Sequence, residues 1–209
     1  MEARGIAHAL QKEFSEVIKL HVSMSLDGFV AGADVSVDQA MGRGGEQLHR
    51  WLFAQPPHPV DRDVAAAMYS PETVGAVLMG RRTLDVGIGH WGRDGSFRMP
   101  CFVVTHRPHD TIVREATTFT FVTEGLGGAV ERARIAAGDK DVTVMGADVT
   151  RQLLRAGLIE ELEVDLVPII LGQGATLFGD LPADAVRLQQ LDVRPSASVT
   201  HIRYGVQCS

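Results

Sequence analysis

The sequence predicts an α/β protein with a mixed, mostly parallel central sheet, helices on both faces and antiparallel strands at its C-terminal end. Three patterns carry this expectation. Val17 to Leu26 alternates Ile18, Leu20, Val22, Met24 and Leu26 with Lys19, His21, Ser23 and Ser25, the period of two that marks a strand. From Val74 onward, short apolar runs alternate with helical stretches, the signature of strands laid parallel and covered by helices. Beyond Glu161 the helical stretches stop. Glu161–Leu171, Val186–Val193 and Val199–Val206 follow one another as apolar runs, which predicts antiparallel strands.

The 209 residues suit one domain with a substantial core, expected from residue 17 to 209 behind an N-terminal extension, 1–16. That extension is polar and holds one short amphipathic stretch, Ala9 to Phe14. After the first strand, Asp27-Gly28 signals a turn, and a Gly- and Asp-rich loop runs to Gly45. Glu46 to Ala54 reads as a helix, because Leu48, Trp51 and Leu52 share one face, and Pro56, Pro57 and Pro59 end it. Asp61 is expected to cap a second helix, Arg62 to Tyr69. The alternating region then predicts strands at Val74–Met79, Cys101–Val104, Thr118–Val122 and Val142–Met145. Its helices are expected at Arg82–Val86, Leu126–Ala137 and Val149–Ala156, with Gly138 and Gly157 as C-terminal stops for the last two.

Composition narrows the function. Hydrophobic residues make up 45% and charged residues 22%, ordinary for a globular chain. A net charge of −6 argues against nucleic acid, whose affinity rests largely on Lys and Arg neutralising phosphates. No run approaches the roughly 20 apolar residues of a membrane span, and no secretory signal is visible. Cys101 and Cys208 are far apart and form no metal-ligand spacing, so no metal site and a reducing cytoplasmic setting are expected.

Three strand ends share one design. Val77-Leu78-Met79 enters Gly80-Arg81-Arg82-Thr83, Phe102-Val103-Val104 enters Thr105-His106-Arg107, and Val144-Met145 enters Gly146-Ala147-Asp148-Val149. Ligands of parallel sheets lie beyond the carboxyl ends of the strands. Glycine permits close backbone approach there, and a helix start offers free N–H groups to phosphate. Arg81, Arg82 and Arg107 add cations suited to bidentate phosphate binding. Cations on two loops exceed what a pyrophosphate needs, which favours NADPH over NADH. Each loop alone reads equally well as an ordinary strand end with surface arginines; the inference rests on all three.

Other features have two readings. Asp27 is the candidate catalytic carboxylate, or simply a turn former. Glu46 and Gln47 are candidate partners for a heterocycle's ring N–H and amino groups, or first-turn residues of a helix, and Trp51 joins them as a candidate substrate contact. His49 either faces the cleft or lies on the surface. Gly87, Gly89 and Gly92 spell a dinucleotide-binding pattern, but they follow a helix instead of a strand and read as a loop in which Trp91 either walls a pocket or, the favoured reading, packs.

Ser25-Leu26-Asp27-Gly28, Met79 to Thr83, Val103 to Pro108, Gly157 to Leu162 and Val167 to Gly174 occur in the order seen in the dihydrofolate reductase-like, three-layer α/β fold. The chain resembles the reductase domain of bifunctional riboflavin-biosynthesis deaminase/reductases and its stand-alone relatives, from about Val17 to Val206. The resemblance implies NADPH across the carboxyl edge of the sheet, with Gly80 to Thr83 on phosphate and Thr105 to Arg107 at the adenosine end. Gly146 to Val149 would cover the pyrophosphate, while Val22 and Ser23 would line the nicotinamide site. It also implies a small heterocyclic substrate, pteridine-like or pyrimidine-like, and a homodimer. Two departures stand out: Gly146-Ala147 replaces the Gly-Gly pair of dihydrofolate reductases, and no deaminase half accompanies the domain in this sequence. A nucleotide-binding module or sensor without turnover is the rival expectation.

Overall fold

The computed structural model describes residues 17–179, 181–182 and 185–208. The expected extension, 1–16, with its Ala9–Phe14 stretch, lies outside the described residues. One nine-stranded sheet organises the chain. Its first strand, β1 (Ile18–Ser25), is followed by a short β2 (Phe29–Ala31), a 3₁₀ helix (Gly45–Phe53) and α1 (Pro59–Met68). Then come β3 (Val74–Gly80), α2 (Arg81–Gly87), β4 (Pro100–Val104), β5 (Ile112–Val113), β6 (Thr118–Val122), α3 (Gly125–Ala137), β7 (Asp141–Met145) and α4 (Ala147–Arg155). The chain ends with β8 (Glu161–Val167), β9 (Ala175–Thr176), β10 (Val186–Pro195) and β11 (Thr200–Cys208).

The strands lie in the order β10-β11-β8-β1-β7-β3-β4-β6-β5, and β2 pairs with β9 apart from them. Every neighbour from β8 to β6 is parallel. Antiparallel pairs occupy the two ends, β11 and β10 at one and β5 at the other. The sequence expectation of antiparallel strands after Glu161 thus holds for β10 and β11 but not for all of β8. That strand is antiparallel to β11 and parallel to β1, because α4 carries the chain back across the sheet before it. It also stops at Val167, where Pro168 follows.

Successive β3 residues show how the layers form. Ala76 and Leu78 face α3 and α4, packing with Ala129, Ala133 and Leu153. Val77 and Met79 face the other way, against Leu84, Phe97 and Phe119. A third cluster, Leu48, Trp51, Val64, Val167 and Val199, lies beneath the 3₁₀ helix and α1. Trp91 packs edge-on to Phe97 and stacks on Phe119. Gly87 sits against its ring, where a Cβ would fall 2.3 Å from Cζ2, so this glycine motif serves packing.

Two helices differ from expectation. Leu48 and Trp51 are three residues apart, and a 3₁₀ turn eclipses positions at that spacing, so both bury while Leu52 is only half-buried. α1 begins at Pro59, whose fixed φ suits the first helical position, and Asp61 is not its cap. Asp61 is buried inside the first turn instead, for a reason given below. β2, β5 and β9, of three, two and two residues, are too short to leave a periodic signal.

Candidate active site at the carboxyl edge of the sheet

β7, β3 and β4 are adjacent and parallel, so the loops that follow them gather at one edge. They border a cleft of about 1100 Å³. Residues 80–83, 105–107 and 146–149 all line it, as do Val22 and Ser23 from β1. The residues expected at the cofactor therefore border one cleft, although the sequence spreads them over more than half of the chain.

Gly146 fixes the geometry of that border. Its φ is +97°, which L side chains rarely adopt, and a Cβ there would lie 2.3 Å from Thr83 Oγ1. The turn before α4 therefore packs directly on the turn after β3. Ala147 already belongs to α4, so a second glycine is not needed at that position.

The arginines differ from one another. Arg81 Nε donates to Asp85 at 2.7 Å, and its guanidinium lies 5.2 Å from the Phe121 ring. Arg82 donates to the Val35 carbonyl at 3.1 Å, which ties the loop after β2 to the cleft. Arg107 is exposed and makes no ion pair among the described residues. Its backbone is held instead, its N–H donating to Thr105 Oγ1 at 3.1 Å.

The opposite wall is built by β1, the 3₁₀ helix and the end of α1, which contribute His21, Ser23, His49, Met68 and Tyr69. Behind it lies a buried charge network that the sequence reading missed. Asp165 is 1% exposed, Asp61 2%, His201 5% and His21 7%. Asp165 accepts from His21 Nε2 at 3.0 Å and from His201 Nδ1 at 2.6 Å. The other nitrogen of His201 lies 3.1 Å from Asp61, which explains the burial of that carboxylate. His21 Nδ1 lies 3.0 Å from Glu163 Oε2 but out of line for a hydrogen bond. Lys19 completes the row, 2.9 Å from Asp141 and 3.7 Å from Glu163.

Strand register assembles this network. Period two puts Lys19, His21 and Ser23 on one face of β1, opposite Glu161, Glu163 and Asp165 of β8, and Asp165 is paired with His201 of β11. Burial opposes the charge of His21, but Asp165 and Glu163 outweigh it and raise its pKa to about 9. His201 is raised in the same way by Asp165 and Asp61. Burial alone would raise Asp165, yet the two imidazoles pull it below the usual carboxylate range. Among the described residues His49 has no such partners, and burial lowers its pKa, with only partial compensation from Asp165.

The expected catalytic and substrate residues lie elsewhere. Asp27 does not line the cleft: its carboxylate accepts from Ser25 Oγ at 2.6 Å and from the N–H groups of Leu171 and Gly172 at 3.1 and 2.7 Å. It ties the turn after β1 to the loop after β8, and those donors hold its pKa down. Glu46 is exposed, because the 3₁₀ helix turns Leu48 and Trp51 inward. Gln47 donates to the Gly44 carbonyl at 3.1 Å, closing its own helix start. Trp51 is core, and its indole N–H donates to Ser23 Oγ at 3.0 Å. Of this helix, His49 is the residue that faces the cleft.

Sheet order, crossover pattern and edge cleft define a dihydrofolate reductase-like α/β protein. The RibD C-terminal domain family matches residues 16–202, and the chain belongs to that family. Membership places it among oxidoreductase domains. An uncharacterized protein of Bacillus subtilis, YwjB, is 25% identical over 162 residues, covering 78% of this chain and 82% of its own. A putative riboflavin biosynthesis protein from Shewanella shares the fold with a TM-score of 0.70 at 23% identity, over 91% of this chain and 99% of that one. Dihydrofolate reductase from Enterococcus faecalis, solved with NADP(H), superposes with a TM-score of 0.55 at 15% identity, over 92% and 98% of the two chains. Among the described residues, no helix is long and apolar enough to cross a membrane.

Proposed function

We propose that this protein is an NADPH-dependent reductase that delivers hydride to a pteridine-like or pyrimidine-like small molecule. The observation that carries this reading is the convergence of residues 80–83, 105–107 and 146–149 on one cleft. That lining fits a dinucleotide phosphate chain. Gly146 lets the start of α4 pack against Thr83 at the cleft, the first turn of α4 presents N–H groups there, and Arg107 is a cation without an ion pair among the described residues.

In this reading residues 146–149 hold the pyrophosphate, while Arg107, with Arg82, meets the additional phosphate that distinguishes NADPH from NADH. Val22 and Ser23 line the nicotinamide end. NADPH supplies the hydride when bound; the protein's share is to align two rings and to exclude water around them. The volume of the cleft, about 1100 Å³, supports two ligands side by side, since its lining includes His21, His49, Met68 and Tyr69 besides the three loops. The solved relatives, one named for riboflavin biosynthesis and one a dihydrofolate reductase, support a fused or single nitrogen heterocycle as acceptor.

Titration of the protein with NADPH and with NADH tests the cofactor assignment. NADPH is expected to quench tryptophan emission and bind at least about tenfold more tightly than NADH, the worth of one charge-assisted phosphate contact. Equal binding of both nucleotides, or binding of neither at millimolar concentration, overturns it. Oxidation of NADPH against a panel of pterins, aminopyrimidinones and small carbonyls then tests turnover. Tight NADPH binding without turnover on any of them identifies a binding module instead.

A further inference from the structure

β8, β11 and β10 form one end of the sheet, whereas α3 and α4 lie over β3, β4 and β7. Strand pairing sorts the residues of this end into two unlike faces. On one face the cross-strand rows are charged, as in His21-Glu163-Arg203-Asp192. On the other they are apolar, as in Val22-Val164-Ile202-Val193, and no position of that face in β8, β10 or β11 carries a charge. We propose that this charge-free face is the surface on which a second copy of the chain docks, face to face, as a two-fold dimer.

The face continues the core outward. Leu162 of β8 is fully buried in the cluster that holds α3 and α4, and Tyr204 and Val206 of β11 pack against its margin. Further out that cover ends. Ile202 is half-buried, and Val193 and Leu188 are 41% and 43% exposed. After Val186 every residue of β10 is exposed. Contiguous apolar area in water is unfavourable, and its usual cover is another protein surface. The charge pattern points to which surface. A two-fold contact sets a surface on itself, so a charge near the axis meets its own like charge. A face without charges meets no such repulsion, and the side chains of two such sheets interdigitate at about 10 Å, the spacing of a sandwich core. A surface shaped for a charged partner would carry the opposite charge, and this one carries none.

The docked copy would stand directly behind the buried charge network. Val164 and Ile202 alternate with Asp165 and His201 on the same two strands. One pair turns toward the second copy, and the other turns toward His21 and Asp61. Sheet register and exposure carry the assignment, which is independent of the cofactor and the acceptor.

Light scattering and sedimentation of the unmodified protein are expected to give the mass of two chains, with a dissociation constant at or below about 10 μM. The mass of one chain at about 100 μM, or an assembly of any other size, overturns the proposal. Val193→Arg and Leu188→Arg put a cation on the face at positions already open to water, so each is expected to fold. Each is expected to weaken the dimer about a hundredfold or more through like charges meeting at the two-fold. Gln189→Arg, on the charged face of the same strand, is expected to leave the dissociation constant within about twofold. A dimer that withstands both face substitutions overturns the proposal. So does one that Gln189→Arg disrupts equally, since that result indicates pairing through the β10 edge. Hydroxyl-radical footprinting of the unmodified protein needs no variant. Leu188, Val193 and Ile202 are expected to be protected in the two-chain species, and full reactivity there overturns the proposal. Protection of the same side chains in a one-chain species assigns the cover to another part of the chain and overturns it as well.

Discussion

The two walls of the cleft are made in opposite ways. The proposed phosphate wall comes from three short loops, each leaving a parallel strand, with half-buried glycines and with Arg82 and Arg107 exposed. The facing wall hides its chemistry: His21, Asp165, His201 and Asp61 are each more than nine-tenths buried and hold one another through charged hydrogen bonds. An exposed cation costs the fold little, because water solvates it until a ligand arrives. A buried ion is tolerable only while its partners remain in place. The first wall should therefore govern binding with little effect on stability, and the second should govern both.

Removing Asp165 tests this contrast most severely. Asp165→Ala leaves two buried imidazoliums facing each other, and a loss on the order of 3–5 kcal/mol is expected from urea unfolding. The pH dependence follows from the same network. The folded pKa of His21 is raised to about 9, so its contribution is complete below the unfolded value and is lost as pH rises through about 9. Asp165 and Glu163 are lowered in the fold, so their contribution vanishes as pH falls through their folded values. Urea midpoints should thus drop at both acid and alkaline extremes, and Asp165→Asn should flatten the alkaline limb.

Gly146→Ala comes next, since it lies where the phosphate wall becomes structural. Positive φ and the 2.3 Å approach to Thr83 Oγ1 predict a loss of about 1–3 kcal/mol together with weakened nucleotide binding. Thr83→Ala in the same chain should return part of the space but not the backbone strain. Arg107→Ala should do the reverse of Asp165→Ala. Its stability is expected to stay within about 0.5 kcal/mol, while NADPH affinity falls about tenfold or more and NADH binding hardly changes. A large loss of stability there would break the division between the walls. The smallest effect is expected from Asp27→Ala. Amide exchange at Leu171 and Gly172 should quicken, because those N–H groups lose their acceptor, while NADPH affinity holds.

The contrast also separates what was legible in the chain. Val77 to Thr83 reads as strand, glycine and cations in one unbroken stretch, and the other two loops likewise follow strands directly, so the proposed phosphate wall is legible locally. His21, Asp165 and His201 are up to 180 residues apart, and each alone looks like an ordinary polar residue on the polar side of a strand. The available signal was that Lys19-x-His21-x-Ser23 and Glu161-x-Glu163-x-Asp165 put titratable groups at period two on two strands. Alternation normally marks a face turned to water, and here that face lies under the 3₁₀ helix and α1. Asp27 misled for the opposite reason. A carboxylate after a strand invites a catalytic reading, but its lone pairs are taken by backbone donors from a loop 144 residues away.

The sequence by itself determined the α/β class, the parallel run of strands, the family resemblance and the three loops that end parallel strands, because all of these rest on short-range periodicity and turn chemistry. Tertiary structure decided which polar residues face the cleft, since that depends on the register of β1 against β8 and of β8 against β11. It also decided that β8 runs parallel to β1 and that Leu48 and Trp51 point inward while Glu46 does not. Register and burial are properties of strands brought together from distant parts of the chain, and the free energy of a buried charge is set by the partner that only the folded sheet supplies.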